Sequence, residues 1–286
     1  MGERIKMRVA ITGAAGLFGH ALAAAFSSRH KVFPLTRADA DITDAVSVRS
    51  LLERIRPEVV VHPAGIPDLD VAEADPARAY LVNVEGTRHV WEAARSVEGQ
   101  VVYISTDAVF NGLNSRPYIE SDPPDPITVY GKTKLAGEAI VQALPEHWIF
   151  RVSVLFGPGK TNFVEKGLRK IAAGEHYIVA ADQEACATYT LDAAYEIMEV
   201  VEARRYGLYH LANQGACTRY ELARRAAELA GMAPAKVVGV PAERMGRRAP
   251  RLKCAVMEMA AVRAAGFSLP RPWPEALADY LRTISI

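Results

Sequence analysis

Residues 8–19 read RVAITGAAGLFG, and this stretch decides the fold. Its first five residues have the short apolar pattern of a buried strand, and the run after it has the composition of a helix. Between them Gly13, Gly16 and Gly19 have the spacing G-x-x-G-x-x-G. Such a turn lets a pyrophosphate approach the backbone at a helix N-terminus, so the stretch predicts a dinucleotide site. The alternative is a glycine turn that merely joins strand to helix.

The same alternation continues along the chain. Strands are predicted over residues 31–36, 58–62, 100–105 and 147–152, with helix-length segments between them. This rhythm is typical of β-α-β units, so we expect an α/β fold with a Rossmann-type, doubly wound parallel sheet.

After residue 156 the pattern loosens. Helices are predicted over residues 163–173, 191–203 and 218–230, and a strand over 207–212. We therefore expect a dinucleotide-binding domain over residues 1–156. A smaller substrate lobe over 157–286 would be partly interleaved with the end of the sheet.

The composition narrows the classes of partner. The chain has 286 residues, 34 Lys and Arg against 33 Asp and Glu, and a net charge of +1, which gives no general attraction for nucleic acid or an anionic membrane. Three scattered cysteines without a C-x-x-C pair offer neither a metal site nor a disulfide framework. No targeting or membrane-spanning stretch is recognisable. We expect a cytoplasmic protein without a metal.

Cofactor preference is set after the second strand. Arg37 stands where an acidic residue would bind a ribose 2′-hydroxyl, and an arginine there suits the 2′-phosphate of NADP. NADP is therefore preferred over NAD, although an arginine in a solvated turn is common. Asp41 and Ile42 suit an adenine amino group and ring face, but Asp41 could equally cap the helix that Asp44 begins.

A reaction centre is predicted around the fourth strand. Ser105 and Thr106 end that strand, and Tyr130 follows 24 residues after Thr106. Lys134 lies four residues beyond Tyr130, on the same face of a helix, so its ammonium could lower the phenol pKa from about 10 towards working pH. Tyr130 would then serve as a general acid. The Y-x-x-x-K spacing alone is common by chance, and the strand end and glycine turn give it weight.

With these residues the chain resembles the dTDP-4-dehydrorhamnose reductase branch of the extended short-chain dehydrogenases over nearly its whole length. The similar stretches, besides the glycine turn, are residues 41–44, 70–73, 83–87, 105–112, 118–138, 162–163 and 182–183. The resemblance implies NADPH or NADH and hydride delivery to the C4 ketone of a nucleotide-linked 6-deoxyhexulose. Thr106 would hold the ketone oxygen, Tyr130 would donate the proton, and Lys134 would bind the nicotinamide ribose.

Further contacts are expected from the same reasoning. The predicted cofactor contacts are Gly13, Gly16, Leu17, Phe18, Gly19, Arg37, Asp41, Ile42, Ala64, Gly65, Asn83, Ser105, Tyr130 and Lys134. The predicted substrate contacts are Asp107, Phe110, Val154, Asn162, Phe163 and Arg251. The resemblance also implies that Asn83 supports the site from the adjoining helix. We also expect a nucleotide sugar as the substrate, and a homodimer is a candidate assembly.

Some residues keep two interpretations. Arg251 belongs to a basic run over residues 244–253 that either clamps the substrate diphosphate or is a solvated loop. Asp107 either orients the site or caps a local turn. His62, at the end of a buried strand, is more typical of a structural histidine than of an acid or base.

Departures from the family cluster on the substrate side. Val154 stands where the family usually has a tryptophan that packs on the sugar, and residues 182–188 read DQEACAT instead of Asp-Gln-x-Gly-x-Pro-Thr. The reductase residues are thus intact while the pocket is altered.

Two rival functions remain. One is a non-catalytic partner protein like the regulatory subunit of methionine adenosyltransferase. The other is a sugar-nucleotide epimerase or dehydratase. The dehydratases need a second carboxyl where this chain has Ala108.

Overall fold

A computed structural model describes residues 6–284 of the chain. The predicted lack of a targeting segment falls mainly on residues 1–5, which lie outside the described residues. The strands are β1 Arg8–Ile11, β2 Lys31–Pro34, β3 Val59–His62, β4 Gln100–Thr106, β5 Trp148–Val152, β6 Val154–Phe156, β7 Tyr177–Ala180, β8 Glu184–Ala185, β9 Ala187–Tyr189, β10 Gly207–Leu211, β11 Cys217–Thr218, β12 Val237–Val240 and β13 Cys254–Ala255. The helices are α1 Leu17–Ser27, α2 Ala45–Ile55, α3 Leu69–Ala74, α4 Pro76–Tyr80, α5 Gly86–Ser96, α6 Val129–Val141, α7 Phe163–Ala172, α8 Thr190–Glu202, α9 Arg219–Leu229, α10 Ala260–Ala264 and α11 Trp273–Arg282.

A six-stranded parallel sheet organises the molecule, in the order β10-β5-β4-β3-β1-β2. The predicted α/β class is confirmed, and each predicted strand and helix lies within two residues of an observed one. From β1 the chain first moves outward to β2 and then crosses to β3 on the other side. Ligands of such sheets bind at this reversal, beyond the carboxyl ends of the strands. The glycine turn directly follows β1.

Both faces of the sheet are covered by helices, because alternate strand residues point to opposite layers. Val9 and Ile11 pack with α1 and α8 on one face. Ala10 and Val60 pack with α2 and α5 on the other. Helix α6, which carries Tyr130 and Lys134, lies against β4.

A second hydrophobic core lies in the later part of the chain. It includes Phe156, Leu168, Leu222 and Tyr280, contributed mainly by α7, α9 and α11. By contrast β10 joins the edge of the main sheet and α8 packs against α1. The division of the chain at residue 156 stays a prediction.

Within residues 6–284, no helix combines the length and apolar character that crossing a membrane requires. The same residues contain no group of three or more His, Cys, Asp or Glu side chains placed to hold a metal ion.

Candidate active site

The turn after β1 forms a backbone cradle. Gly13 has φ +60, and a Cβ there would lie 2.9 Å from the Cα of Ala64, so neither conformation nor space admits a side chain. A Cβ on Gly19 would collide with the carbonyl of Gly13. Helix α1 then begins at Leu17 with Gly16 as its N-cap and no side chain capping its first amides. Open amides beside a glycine turn fit the diphosphate of a dinucleotide.

At Phe18, only the backbone of the helix start faces this cradle. Its side chain packs in the main core beneath the sheet and is 5 % exposed. The predicted cofactor contact of Phe18 is therefore limited to its amide.

Arg37 and Asp41 contact each other at the end of β2. The Arg37 Nη2 atom lies 2.7 Å from Asp41 Oδ2, and the arginine side chain is 79 % exposed. The other carboxylate oxygen of Asp41 accepts hydrogen bonds from the amide and hydroxyl of Thr43, which lower the Asp41 pKa. Asp44 caps α2 through the amides two and three residues on, so the interpretation of Asp41 as the helix cap is wrong. Ile42 packs half-buried against Gly86 of α5.

Asn83 joins the loop after β3 to helix α6. It lies in a π-helical turn over Leu81–Glu85, a geometry often found at functional sites. Its Oδ1 accepts from the amide of Ile66 at 2.7 Å, and its Nδ2 donates to the hydroxyl of Thr133 at 2.9 Å. A Cβ on Gly65 would lie 2.8 Å from that Oδ1, so the glycine permits the close approach.

Thr106 and Tyr130 meet at the carboxyl end of β4. The Thr106 hydroxyl accepts from the amide of Ala108 at 3.1 Å and donates to Asp107 at 2.9 Å. Tyr130 is brought there by α6, whose N-cap Thr128 accepts from the amide of Gly131. The side chains of Tyr130 and Thr106 both line one cleft. Burial, the largest influence, raises the pKa of the phenol, so Tyr130 carries its proton at neutral pH.

Lys134 occupies a different position from the one expected. Its Nζ atom lies 3.9 Å from the ring centre of Tyr103, a cation–π contact. Burial lowers the Lys134 pKa to about 7, against the opposing effect of the negative Glu138. The expectation that Lys134 depresses the pKa of Tyr130 is wrong in this structure. The ammonium rests on Tyr103, and burial of the phenol dominates.

A buried ion pair lies behind the reaction centre. Arg151 donates to both oxygens of Glu138, from Nε at 2.9 Å and from Nη2 at 2.7 Å. Ser105 donates its hydroxyl to the same carboxylate at 2.5 Å. All three side chains are buried. The predicted cofactor contact of Ser105 is therefore not made by its hydroxyl, which points into this network.

His62 is a structural residue, as its position suggests. Its Nδ1 lies 2.7 Å from the hydroxyl of Thr12 and its Nε2 3.2 Å from that of Thr87. Burial lowers the His62 pKa to about 3, so the ring is neutral near pH 7. It ties the residue before the glycine turn to α5.

A cleft opens beside Thr106 and Tyr130. Its other lining residues are Leu69, Asp107, Ala108, Val154, Gln183, Glu184, Ala185, Cys217, Thr218, Arg219, Leu222, Arg251, Leu252 and Ala255. Val154 thus lines the cleft, with an aliphatic side chain at the position of the expected aromatic. Asp107 accepts from the hydroxyl of Ser153 at 2.5 Å as well as from Thr106. Because Thr106 caps the local turn, the capping interpretation of Asp107 is wrong.

Three predicted substrate residues, Phe110, Asn162 and Phe163, are not among the residues that line this cleft, and Phe163 packs against the second hydrophobic core. Phe110 is fully buried, with its ring stacked 4.0 Å from that of Tyr118. Asn162 caps α7, and its amide donates to the carbonyl of Gly157 and the hydroxyl of Tyr280. The side chains of Phe110 and Asn162 are committed to packing and hydrogen bonds within the protein.

Arg251 lines the cleft and also fastens the loop that carries it. Its Nη2 donates to Asp70 of α3 at 2.8 Å, and its Nη1 donates to the carbonyl of Ala249 at 2.7 Å. The Ala249 amide donates to the second oxygen of Asp70. Part of the guanidinium is therefore engaged, and the solvated-loop interpretation of Arg251 does not describe it.

Arg219 lines the cleft but is not among the contacts predicted from the sequence. The helix start itself was readable, because Thr218 and Glu221 form a capping box. The position of Arg219 in the cleft could not be predicted, because the pairing of Cys217 with Ala185 between β11 and β8 carries the residue there. The guanidinium lies 5.1 Å from the ring centre of Phe163.

Comparisons with known proteins agree with this geometry. Residues 7–286 match the family model described as the RmlD substrate binding domain. A dTDP-4-dehydrorhamnose reductase of Streptomyces griseus is 38% identical, over 94% of this chain and 91% of its own. The spore coat polysaccharide biosynthesis protein SpsK of Bacillus subtilis is 35% identical, over 96% of this chain and 97% of its own.

A solved structure extends the likeness to three dimensions. The dTDP-4-dehydrorhamnose reductase of Bacillus anthracis, crystallised in complex with NADP, superposes with a TM-score of 0.94. It is 34% identical and covers 98% of this chain and 100% of its own. The resemblance read from the sequence is confirmed, and the chain belongs to the dTDP-4-dehydrorhamnose reductase family.

Proposed function

We propose that this protein is an NADPH-dependent reductase of the C4 keto group of a nucleotide-activated 6-deoxysugar. The observation that carries the proposal is the meeting of Thr106 and Tyr130 in one cleft, at the same sheet edge as the glycine cradle. Proton donors beside a dinucleotide cradle are what ketone reduction requires. The names and structures of the relatives support the same reaction.

The chain's own residues fit the cofactor. The backbone of Gly13, Gly16 and the first turn of α1 would hold the diphosphate, and Arg37 the 2′-phosphate. Lys134 would bind the nicotinamide ribose, next to the loop that Asn83 positions. When bound, the nicotinamide supplies the hydride. NADP is preferred to NAD because Arg37 stands in the turn after β2, where NAD-binding chains have an acidic residue.

The proton path uses two side chains. Thr106 holds the ketone oxygen by turning its hydroxyl hydrogen from Asp107 to that oxygen, while Tyr130, protonated at neutral pH, donates its proton to the same oxygen as it becomes an alcohol. Burial keeps water away from Lys134, whose exposed fraction is 5 %.

The later part of the chain is proposed as the substrate lobe. Val154, Asp107 and Arg251 line the cleft together with residues from its small strands. Because Val154 is not aromatic, the sugar here would lack the stacking that a tryptophan supplies. Ala108 in the cleft offers no second carboxyl, which disfavours elimination chemistry of the dehydratase type.

The cellular setting is part of the proposal. The three cysteines are free thiols, in keeping with a reducing cytoplasm. The homodimer stays a prediction.

The experiment is oxidation of NADPH by the purified protein with dTDP-4-dehydrorhamnose and dTDP-4-keto-6-deoxyglucose, followed by product analysis. Substrate-dependent oxidation with formation of the C4 alcohol supports the proposal. Tight NADPH binding without turnover of either sugar would favour the non-catalytic alternative.

A further inference from the structure

Arg219 and Asp107 are opposite charges in one cleft that do not touch. Both line the cleft beside Tyr130. Within residues 6–284, no hydrogen bond or ion pair within 4.0 Å joins the Arg219 side chain to an acidic group. Its contact is the ring of Phe163. Asp107 exerts the largest charge effect on the Arg219 guanidinium, and we call the part of the cleft that lies between these two lining residues the gap.

The position of the gap is fixed by the reaction centre. Asp107 directly follows Thr106 and accepts a hydrogen bond from its hydroxyl. The proposed function places the ketone oxygen at Thr106 and Tyr130, so whatever fills the gap is attached close to the ketone carbon. In a hexose reduced at C4, the diphosphate on C1 lies across the ring from that carbon.

The chemistry of the gap selects one kind of group. Arg219 offers N–H donors and no acceptor, whereas the Asp107 carboxylate accepts from Ser153 and Thr106 and has lone pairs left. A hydroxyl satisfies both sides because it accepts from one and donates to the other. A phosphate would meet the repulsion of Asp107, and a deoxy carbon would leave both polar groups without a partner.

Resting on the proposed function, we infer that Arg219 and Asp107 form a specificity subsite for a sugar hydroxyl on the carbon beside the ketone. Arg219 is a specificity-determining residue, and the pair selects 4-keto sugars that keep the C3 hydroxyl over their 3-deoxy counterparts. Polar sites of this kind discriminate strongly, because the analogue that lacks the hydroxyl leaves buried polar groups unpaired.

The test compares dTDP-4-keto-6-deoxyglucose with its 3-deoxy analogue. Arg219→Met keeps an unbranched side chain without donors, Arg219→Lys keeps the charge without the fork, and Arg224→Met is the matched control. Arg224 lies on the same helix and pairs with Glu228 outside the cleft. The parent and the control should prefer the hydroxylated sugar in kcat/KM by on the order of 10- to 100-fold. Arg219→Met should lose this preference, with little change on the deoxy sugar and none in NADPH affinity.

A binding measurement separates the hypothesis of a hydroxyl subsite from the proposed reductase function. Calorimetry of the matching C4-alcohol nucleotide sugars, with NADP⁺ present, gives the hydroxyl preference without turnover. An Arg219-dependent preference in an inactive protein would uphold the subsite while the reductase function fails. Equal losses on both sugars together with weaker binding of dTDP would assign Arg219 to the diphosphate and overturn the inference. An unchanged preference in Arg219→Met would also overturn it.

Discussion

The Asn83 amide nitrogen lies 2.9 Å from the hydroxyl of Thr133, which lies between Tyr130 and Lys134 and directly precedes Lys134. Through its other contacts, with Ile66, the same side chain holds the loop that faces the glycine turn. One buried side-chain amide thus connects the proposed cofactor site to helix α6, which carries Tyr130 and Lys134.

We expect Asn83→Ala to weaken NADPH binding and to lower kcat together. Loss of the Asn83 amide leaves the part-buried amide of Ile66 and the buried hydroxyl of Thr133 without this partner, which should lower the free energy of unfolding by about 1–3 kcal/mol. Fluorescence titration with NADPH and urea unfolding measure the two effects. Gln142→Ala, which removes an exposed amide at the end of α6, is the control. Unchanged NADPH affinity in Asn83→Ala would contradict the coupling.

The Glu138–Arg151 pair gives a prediction about stability. Arg151→Met should lower the free energy of unfolding by about 3–5 kcal/mol, because it leaves a buried carboxylate without its cation. The double variant with Glu138→Leu should recover much of this loss. Urea unfolding of both single variants and the double variant measures the coupling. If the double variant loses as much free energy of unfolding as the two single variants together, Glu138 and Arg151 do not compensate each other.

His62 should make the protein sensitive to acid. Its folded pKa of about 3 lies below the ordinary value of 6.5, so between these values the unfolded chain binds the extra proton. Stability from this group is therefore complete above pH 6.5 and is lost as the pH falls towards 3. Between pH 7 and 5 the loss is about 2 kcal/mol. His62→Gln should flatten the unfolding free energy over this range, whereas the exposed His176→Gln should keep the parent slope.

Arg37 should set the preference between the two dinucleotides. Its exposed ion pair with Asp41 is worth at most about 1 kcal/mol, so it is readily exchanged for a 2′-phosphate. Arg37→Ala should lower NADPH affinity by about 10-fold or more and leave NADH affinity nearly unchanged. Asp41→Asn should shift the ratio the other way, because it removes a negative charge. Arg49→Ala, an exposed arginine on α2, is the control. Equal effects on both dinucleotides would refute the role of Arg37.

The sheet and the glycine turn could be predicted because their signals are local. The apolar runs, the helix-length spacers and the glycines all lie within short windows of sequence. The spacing of Tyr130 and Lys134 likewise predicts one helix face, and the structure places both on α6.

Other features of the site depend on contacts between distant segments. Arg219 reaches the cleft only through the pairing of β11 with β8, and Lys134 rests on Tyr103 of another element. Phe110 carries no sequence mark that distinguishes a core ring from a pocket ring. The direction of the Tyr130 pKa could not be read either, because the depth of burial that raises it is a tertiary property.

The proton transfer from Tyr130 is the central claim, and single-turnover reduction tests it most directly. NADPH oxidation is followed after rapid mixing with the keto sugar, for the parent and for Tyr130→Phe, with NADPH affinity measured separately. Removal of the phenolic hydroxyl should slow the reductive step by about 10² to 10⁴ and leave NADPH affinity within a few-fold, because Tyr130 is not asked to hold the phosphates. A Tyr130→Phe protein that reduces the sugar at nearly the parent rate at every pH would contradict the account.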